Sequence, residues 1–183
     1  MFNQDDLIEQ LYADNAIEGL KDDKIRYISI EHGILTDAPF IGARICAIKC
    51  HHNCPGCFNA DLNKANYNIA TTKEVIDEIL KHPINEGIIL AGLDWIEQPQ
   101  EMLSLICYAL FMNLKIMIYT YLTIDKFMLK FPYLGGHKIL VKCGEYKKDL
   151  PQYYDSKYDV VLASNNQKIY DLRYFHAGQY GEN

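Results

Sequence analysis

Short apolar runs of strand length alternate with helix-patterned segments along most of this chain, and that alternation narrows its possible folds more than any other feature. Residues 24–30 (Lys-Ile-Arg-Tyr-Ile-Ser-Ile) alternate polar and apolar side chains as a half-buried strand does, and residues 43–48 read as a second strand. The pattern at 72–81 predicts a helix, with a Thr cap, Val75, Ile76, Ile79 and Leu80 on one face, and Pro83 just beyond its end. Residues 87–91 have strand length and 100–113 predict a largely buried helix. Strand then follows at 115–120, helix at 124–130, and strand again at 138–142 and 158–162. Such alternation implies β-α units and a mainly parallel sheet with helices outside it. The units are too few for a closed eight-unit barrel, so the expected fold class is α/β, an open partial (β/α) barrel. In these sheets the chemistry sits on loops that leave the carboxyl ends of strands.

Composition limits what that site can serve. Nearly half the residues are apolar, so the chain can bury a core and is not disordered. Residues 102–119 form the longest apolar stretch, but Ser104, Asn113 and Lys115 interrupt it, and no membrane span or membrane partner is expected. The amino end is acidic where a secretory signal is basic, so a cytosolic, cytoplasmic location is expected. Residues 1–24 carry seven acids against Lys21 and Lys24, which accounts for nearly all of the net charge of −6. With Leu7, Ile8, Leu11 and Tyr12 at helical spacing, this segment reads as an acidic amphipathic extension, and 25–183 as one domain. The body lacks a basic stripe, so a nucleic-acid polymer is not an expected partner.

Four of the six cysteines, Cys46, Cys50, Cys54 and Cys57, fall within 12 residues on the loop after the second predicted strand. A reducing cytosol disfavours structural disulfides, so grouped thiols point to metal or redox chemistry. Three readings compete. Cys50, Cys54 and Cys57, spaced C-x3-C-x2-C, can each hold one iron of a 4Fe-4S cube and leave the fourth iron open for a substrate. Pro55 and Gly56 permit the tight turn between the last two ligands, and Phe58 adds an aromatic wall. A zinc knot would use Cys46 as well, or His51 or His52; against it, Cys46 lies inside the strand beside core residues, and all the candidates share one loop. In the third reading Cys54 and Cys57 alone form a thiol-disulfide pair, which leaves the two upstream cysteines unexplained. His51 and His52 are expected to be solvated, and Cys107 and Cys143 to be core thiols.

The run Cys50-His-His-Asn-Cys-Pro-Gly-Cys-Phe-Asn59 resembles the signature of the radical S-adenosylmethionine superfamily. Within it, the chain is similar to the activating proteins of anaerobic ribonucleoside-triphosphate reductase. The segment at 115–120 (Lys-Ile-Met-Ile-Tyr-Thr) resembles that family's strand ending in Tyr-Thr-Gly. Lys138-Ile-Leu-Val-Lys-Cys-Gly-Glu-Tyr146 resembles its Val-Asp-Gly-x-Phe segment, and Ser164-Asn-Asn-Gln167 its Gly-Ser-x-Asn-Gln-Arg close. The likeness covers roughly residues 25–172. Lys49 and Tyr121 stand where the family has Gly. Leu90-Ala-Gly-Leu-Asp-Trp95 occupies the place of its Gly-Gly-Glu or Gly-Gly-Asp motif, with Leu93 inserted before Asp94.

The resemblance implies one 4Fe-4S cluster on Cys50, Cys54 and Cys57. It also implies S-adenosylmethionine lined by Gly56, Cys57, Phe58, Ala91, Gly92 and Asp94. The implied activity is that of an oxidoreductase: reductive cleavage of the cofactor to a 5′-deoxyadenosyl radical that abstracts hydrogen from a reductase glycine. The cofactors carry this chemistry, and no catalytic side chain beyond the cluster ligands is required. The implied partners are the reductase, as a protein substrate, and an electron donor such as flavodoxin or ferredoxin.

Overall fold

A computed structural model describes residues 19–175. Most of the acidic extension expected at 1–24, including its apolar face, lies outside the described residues. Among the described residues, ten strands, three α-helices and four short 3-10 turns follow one another. The main sheet has six strands in the order β10 (Lys168–Asp171), β7 (Ile139–Cys143), β6 (Lys115–Tyr119), β5 (Gly87–Ala91), β3 (Gly42–Cys46), β2 (Ile30–Ile34). The four central strands run parallel, while β2 pairs with β3, and β10 with β7, antiparallel. The sheet is therefore mixed, with its parallel part at the centre.

The expected strand at 24–30 divides in two. β1 (Lys24–Tyr27) leaves the main sheet and pairs with β4 (Asn68–Thr71), whereas the chain from Ile30 onward joins the sheet as β2. The division falls where Ile28 N–H donates to the Cys46 carbonyl and Cys46 N–H to that of Ser29. Alternation predicts extended backbone but not which neighbour supplies the hydrogen bonds. A small hairpin of β8 (Tyr153–Asp155) and β9 (Val160–Leu162) completes the strands.

Helices α1 (Thr72–Leu80), α2 (Pro99–Phe111) and α3 (Ile124–Lys130) supply the parallel crossovers. A capping box between Thr71 and Glu74 starts α1, and Pro99 opens α2 where a missing N–H costs nothing. All three helices contribute to one core, in which Ile76, Leu105 and Phe127 pack with Ile45, Ile88, Leu90, Ile118 and Val141 of the strands. The alternate strand positions, Ile89, Ala91, Met117 and Leu140, face the other way and pack with Phe40, Val160 and Leu162. Among the described residues no helix is long and apolar enough to cross a membrane.

Candidate metal centre

The parallel strands β3, β5, β6 and β7 all point their carboxyl ends at one cleft of ≈ 300 Å³. The loop after β3 brings Cys50, Cys54 and Cys57 to it, the loop after β5 brings Gly92 and Asp94, and β6 and β7 end there with Tyr119, Thr120 and Lys142. Each of the three thiols is half-buried and free. Burial raises the pKa of Cys50 and of Cys54, so an unliganded thiolate is disfavoured there and a bound cation would have to draw the proton off.

The cysteine loop is pinned from several sides. Asn63, on the 3-10 turn Ala60–Lys64, accepts from the Cys50 N–H at 2.9 Å and donates to the Cys50 carbonyl at 3.2 Å. Asn59 donates to the Gly92 carbonyl at 2.6 Å and ties the end of the motif to the loop after β5. Gly56 adopts φ +74° at the exposed turn between Cys54 and Cys57, a conformation open to glycine, with the Lys148 side chain over it. His51 and His52 are not merely solvated: His51 pairs with Glu97 at 2.8 Å, and His52 pairs with Glu145 at 2.9 Å and stacks on Tyr121 at 4.0 Å.

Cys46 stands apart from the other three. It is 3% exposed at the end of β3, and its side chain fills the space above Gly92. Gly92 itself sits at φ +84°, where a Cβ would overlap the Cys46 sulfur. Ala91 packs in the core beneath the cleft. Phe58 reaches the mouth of the cleft, 74% exposed, with its ring 5.0 Å from that of Tyr146.

Asp94 reaches the cleft wall, but its carboxylate is already engaged. Oδ1 accepts from Ile96 N–H at 3.1 Å, and Oδ2 from the Thr120 hydroxyl and Tyr121 N–H, each at 2.9 Å. Burial dominates nonetheless and raises its pKa to about 6. The Ser164 to Gln167 segment latches the loop after β7: Gln167 donates to the Gly144 carbonyl at 3.0 Å and Asn166 to that of Glu145 at 3.0 Å.

Asn59, Asn63, Lys142 and Gln167 thus join the site without having been singled out as ligands or contacts from the sequence. Asn59 and Gln167 lie inside runs that carry the family resemblance, Lys142 left the signal of a charged residue inside an apolar strand run, and Asn63 left none.

The residues present fit a polynuclear cluster. A single tetrahedral zinc would hold its thiolates about 3.8 Å apart, given Zn–S bonds of about 2.3 Å. Cys50, Cys54 and Cys57 do not gather as one such close group, and three thiols on one loop, with Cys46 buried apart from them, suit a cube in which each thiolate takes its own iron. Among the described residues, the group of ligand atoms that does gather that closely is His32, Glu78 and His82, far along the chain from this loop. There the Asn85 amide donates to His32 Nδ1 at 2.9 Å, and the two imidazoles stack at 3.7 Å. An ion lies in the plane of each imidazole that binds it, so near-parallel stacked rings do not share one, and the trio is a stacked imidazole pair with Glu78 beside it.

The chemistry of the site is that of an iron-sulfur protein. The family described as 4Fe-4S single cluster domain matches residues 41–170, and the chain belongs to that family. No curated protein and no solved structure matches the chain.

Proposed function

We propose that the chain is a radical S-adenosylmethionine activase that generates a glycyl radical on anaerobic ribonucleoside-triphosphate reductase. One observation carries the reading: three thiols of a C-x3-C-x2-C loop reach the cleft, while the fourth nearby cysteine, Cys46, is buried against Gly92. Three protein ligands leave one iron free for a substrate. The four parallel strands at the centre of the mixed sheet open their carboxyl ends on this cleft, where such chemistry is expected to sit. Bound there, the reduced cluster would supply the electron that splits S-adenosylmethionine into methionine and a 5′-deoxyadenosyl radical.

The chain's own residues orient and shield. Asn63 holds the Cys50 backbone, Asn59 fixes the Gly92 carbonyl at the cleft wall, and Tyr121 with Glu145 holds His52 between the first two ligands. The exposed rim of Phe58 and Val161 leaves the cleft open to a partner's loop, as a protein substrate requires. An electron donor of the flavodoxin or ferredoxin kind completes the reaction.

Reconstitution with iron and sulfide under argon tests this, with spin-resonance spectra recorded before and after addition of the cofactor and then of the reductase. A reduced 4Fe-4S signal altered by the cofactor, release of 5′-deoxyadenosine and a radical on the reductase are expected. Cys50→Ser, Cys54→Ser and Cys57→Ser should each abolish the cluster, and Cys46→Ser should largely spare it. Cofactor cleavage with no radical on the reductase would assign the chain to another radical enzyme. Equal loss at Cys46 would overturn the ligand set.

A further inference from the structure

One side chain on the second face of the sheet is not accounted for by its surroundings. Strand alternation places Lys142 on that face after Leu140, directly paired with Tyr119 of β6. Lys142 is 9% exposed and lines the cleft. Its Nζ donates to the Gly144 carbonyl at 3.5 Å and lies 5.0 Å from the centre of the Tyr119 ring. Among the described residues no carboxylate comes within 4.0 Å of it, and Asp94 across the cleft spends its oxygens on Ile96, Thr120 and Tyr121. An ammonium with one long hydrogen bond, an aromatic face and no counter-ion is a costly thing to bury.

Burial lowers its pKa to about 8, so the charged form still prevails at neutral pH. The negative groups whose field it feels include Asp94 and the thiols of Cys54 and Cys57, two of the three proposed ligands. A cube held by three thiolates is net anionic, and reduction adds a further negative charge.

We infer that Lys142 is the counter-cation of the cluster held by Cys50, Cys54 and Cys57, and that its charge raises the potential at which the cluster accepts its electron. The inference rests on the three-ligand reading above. No bond forms or breaks in this role: one electron arrives from the donor, and the fixed positive charge stabilises the reduced cluster more than the oxidised one. Lys142 is thus a positioning residue that acts through the cluster.

The test is a spin-resonance redox titration of the reconstituted protein, without S-adenosylmethionine, for the parent, Lys142→Met and Lys142→Arg. At the parent's midpoint potential, the ratio of reduced to oxidised cluster in Lys142→Met should fall about tenfold, equivalent to about 59 mV for a one-electron couple. Lys142→Arg, which keeps the charge, should stay near the parent. An unchanged potential in Lys142→Met overturns the inference, and if cofactor binding is weakened at the same time, Lys142 is instead a ligand of the cofactor. Should Lys142→Met fail to load a cluster, Lys142→Gln decides: a tenfold fall in that ratio upholds the role of charge, and a parent-like potential refutes it. A parent protein that forms no 4Fe-4S cluster would refute the ligand assignment itself, an outcome distinct from these.

Discussion

Replacing Gly92 by alanine tests the contact that separates Cys46 from the other cysteines. The new Cβ would overlap the Cys46 sulfur and stand 3.0 Å from the Cys46 Cβ and 3.3 Å from its Cα. Two costs add. Holding an L-residue at φ +84° costs about 1–2 kcal/mol, and forcing a methyl into a filled space costs about 1–3 kcal/mol. The smaller freedom of the unfolded alanine chain returns about 0.4–1 kcal/mol, which leaves a net loss of about 2–4 kcal/mol. Urea unfolding of the reduced, cluster-free chain measures it as a lower midpoint at constant slope. The decisive comparison is the cycle with Cys46→Ala, which removes the sulfur and leaves the backbone cost in place. In that background Gly92→Ala should cost only about 1 kcal/mol, the backbone cost less the same unfolded-state return, a coupling of about 1 kcal/mol or more. If the two substitutions add to within about 0.5 kcal/mol, Cys46 does not pack against Gly92 as described, and the argument that keeps it out of the ligand set loses its structural ground.

Two further perturbations probe the loops around the cleft. Asn63→Ala removes both hydrogen bonds to the Cys50 backbone, each worth about 0.5–1.5 kcal/mol. Amide hydrogen exchange at Cys50 should speed up about tenfold and the loaded cluster should decay faster in air; unchanged exchange would mean that the clamp does not hold. Asp94 is held with a raised pKa of about 6, because burial disfavours its charge. Its protonated form is therefore favoured by folding, and the stability it contributes at low pH is lost as pH rises from about 4 through about 6, by about 3 kcal/mol. The unfolding free energy of the cluster-free protein minus that of Asp94→Asn should fall by about that amount between pH 4 and pH 7, and a flat difference would show that the carboxylate is not desolvated.

Where period decides, the sequence and the structure agree. Residues 87–91 appear as β5 and 124–130 as α3 without a shift in boundary, the first an unbroken apolar run of strand length and the second a stretch that buries Phe127 and Met128. The ribbon of β1 and β4 was not legible: Ile69 is 60% exposed, so burial leaves little pattern there, and pairing follows from Thr72 N–H reaching the Asp23 carbonyl. The antiparallel edges β2 and β10 were also missed, since a strand's own residues do not say which way its neighbour runs. The three cysteines that reach the cleft were legible as a group because spacing along one loop is a local property. Asn59 and Asn63 were not, because what makes them functional is nearness to Gly92, 33 residues away, and to Cys50, 13 residues away.

Two of the positions at which the chain departs from the family it resembles, Leu93 and Tyr121, are joined through Asp94. Inserted Leu93 turns into the helix-side core, 5% exposed, and Asp94 after it caps the turn Trp95–Glu97 and gathers the Thr120 hydroxyl and Tyr121 N–H. Asp94 therefore reads as a joint between the loops after β5 and β6, consistent with an Asp cap before Trp-Ile-Glu. Tyr121, standing where the family has Gly, supplies the ring on which His52 stacks, and Glu145 holds the imidazole's other edge. A glycine there would leave His52 without that ring. Lys142 brings positive charge to the same cleft, and both acids that line it are engaged, Asp94 by backbone and hydroxyl donors and Asp37 by Arg44. Among the described residues that line this cleft, the cation placed to meet an anionic cluster or a bound carboxylate is Lys142.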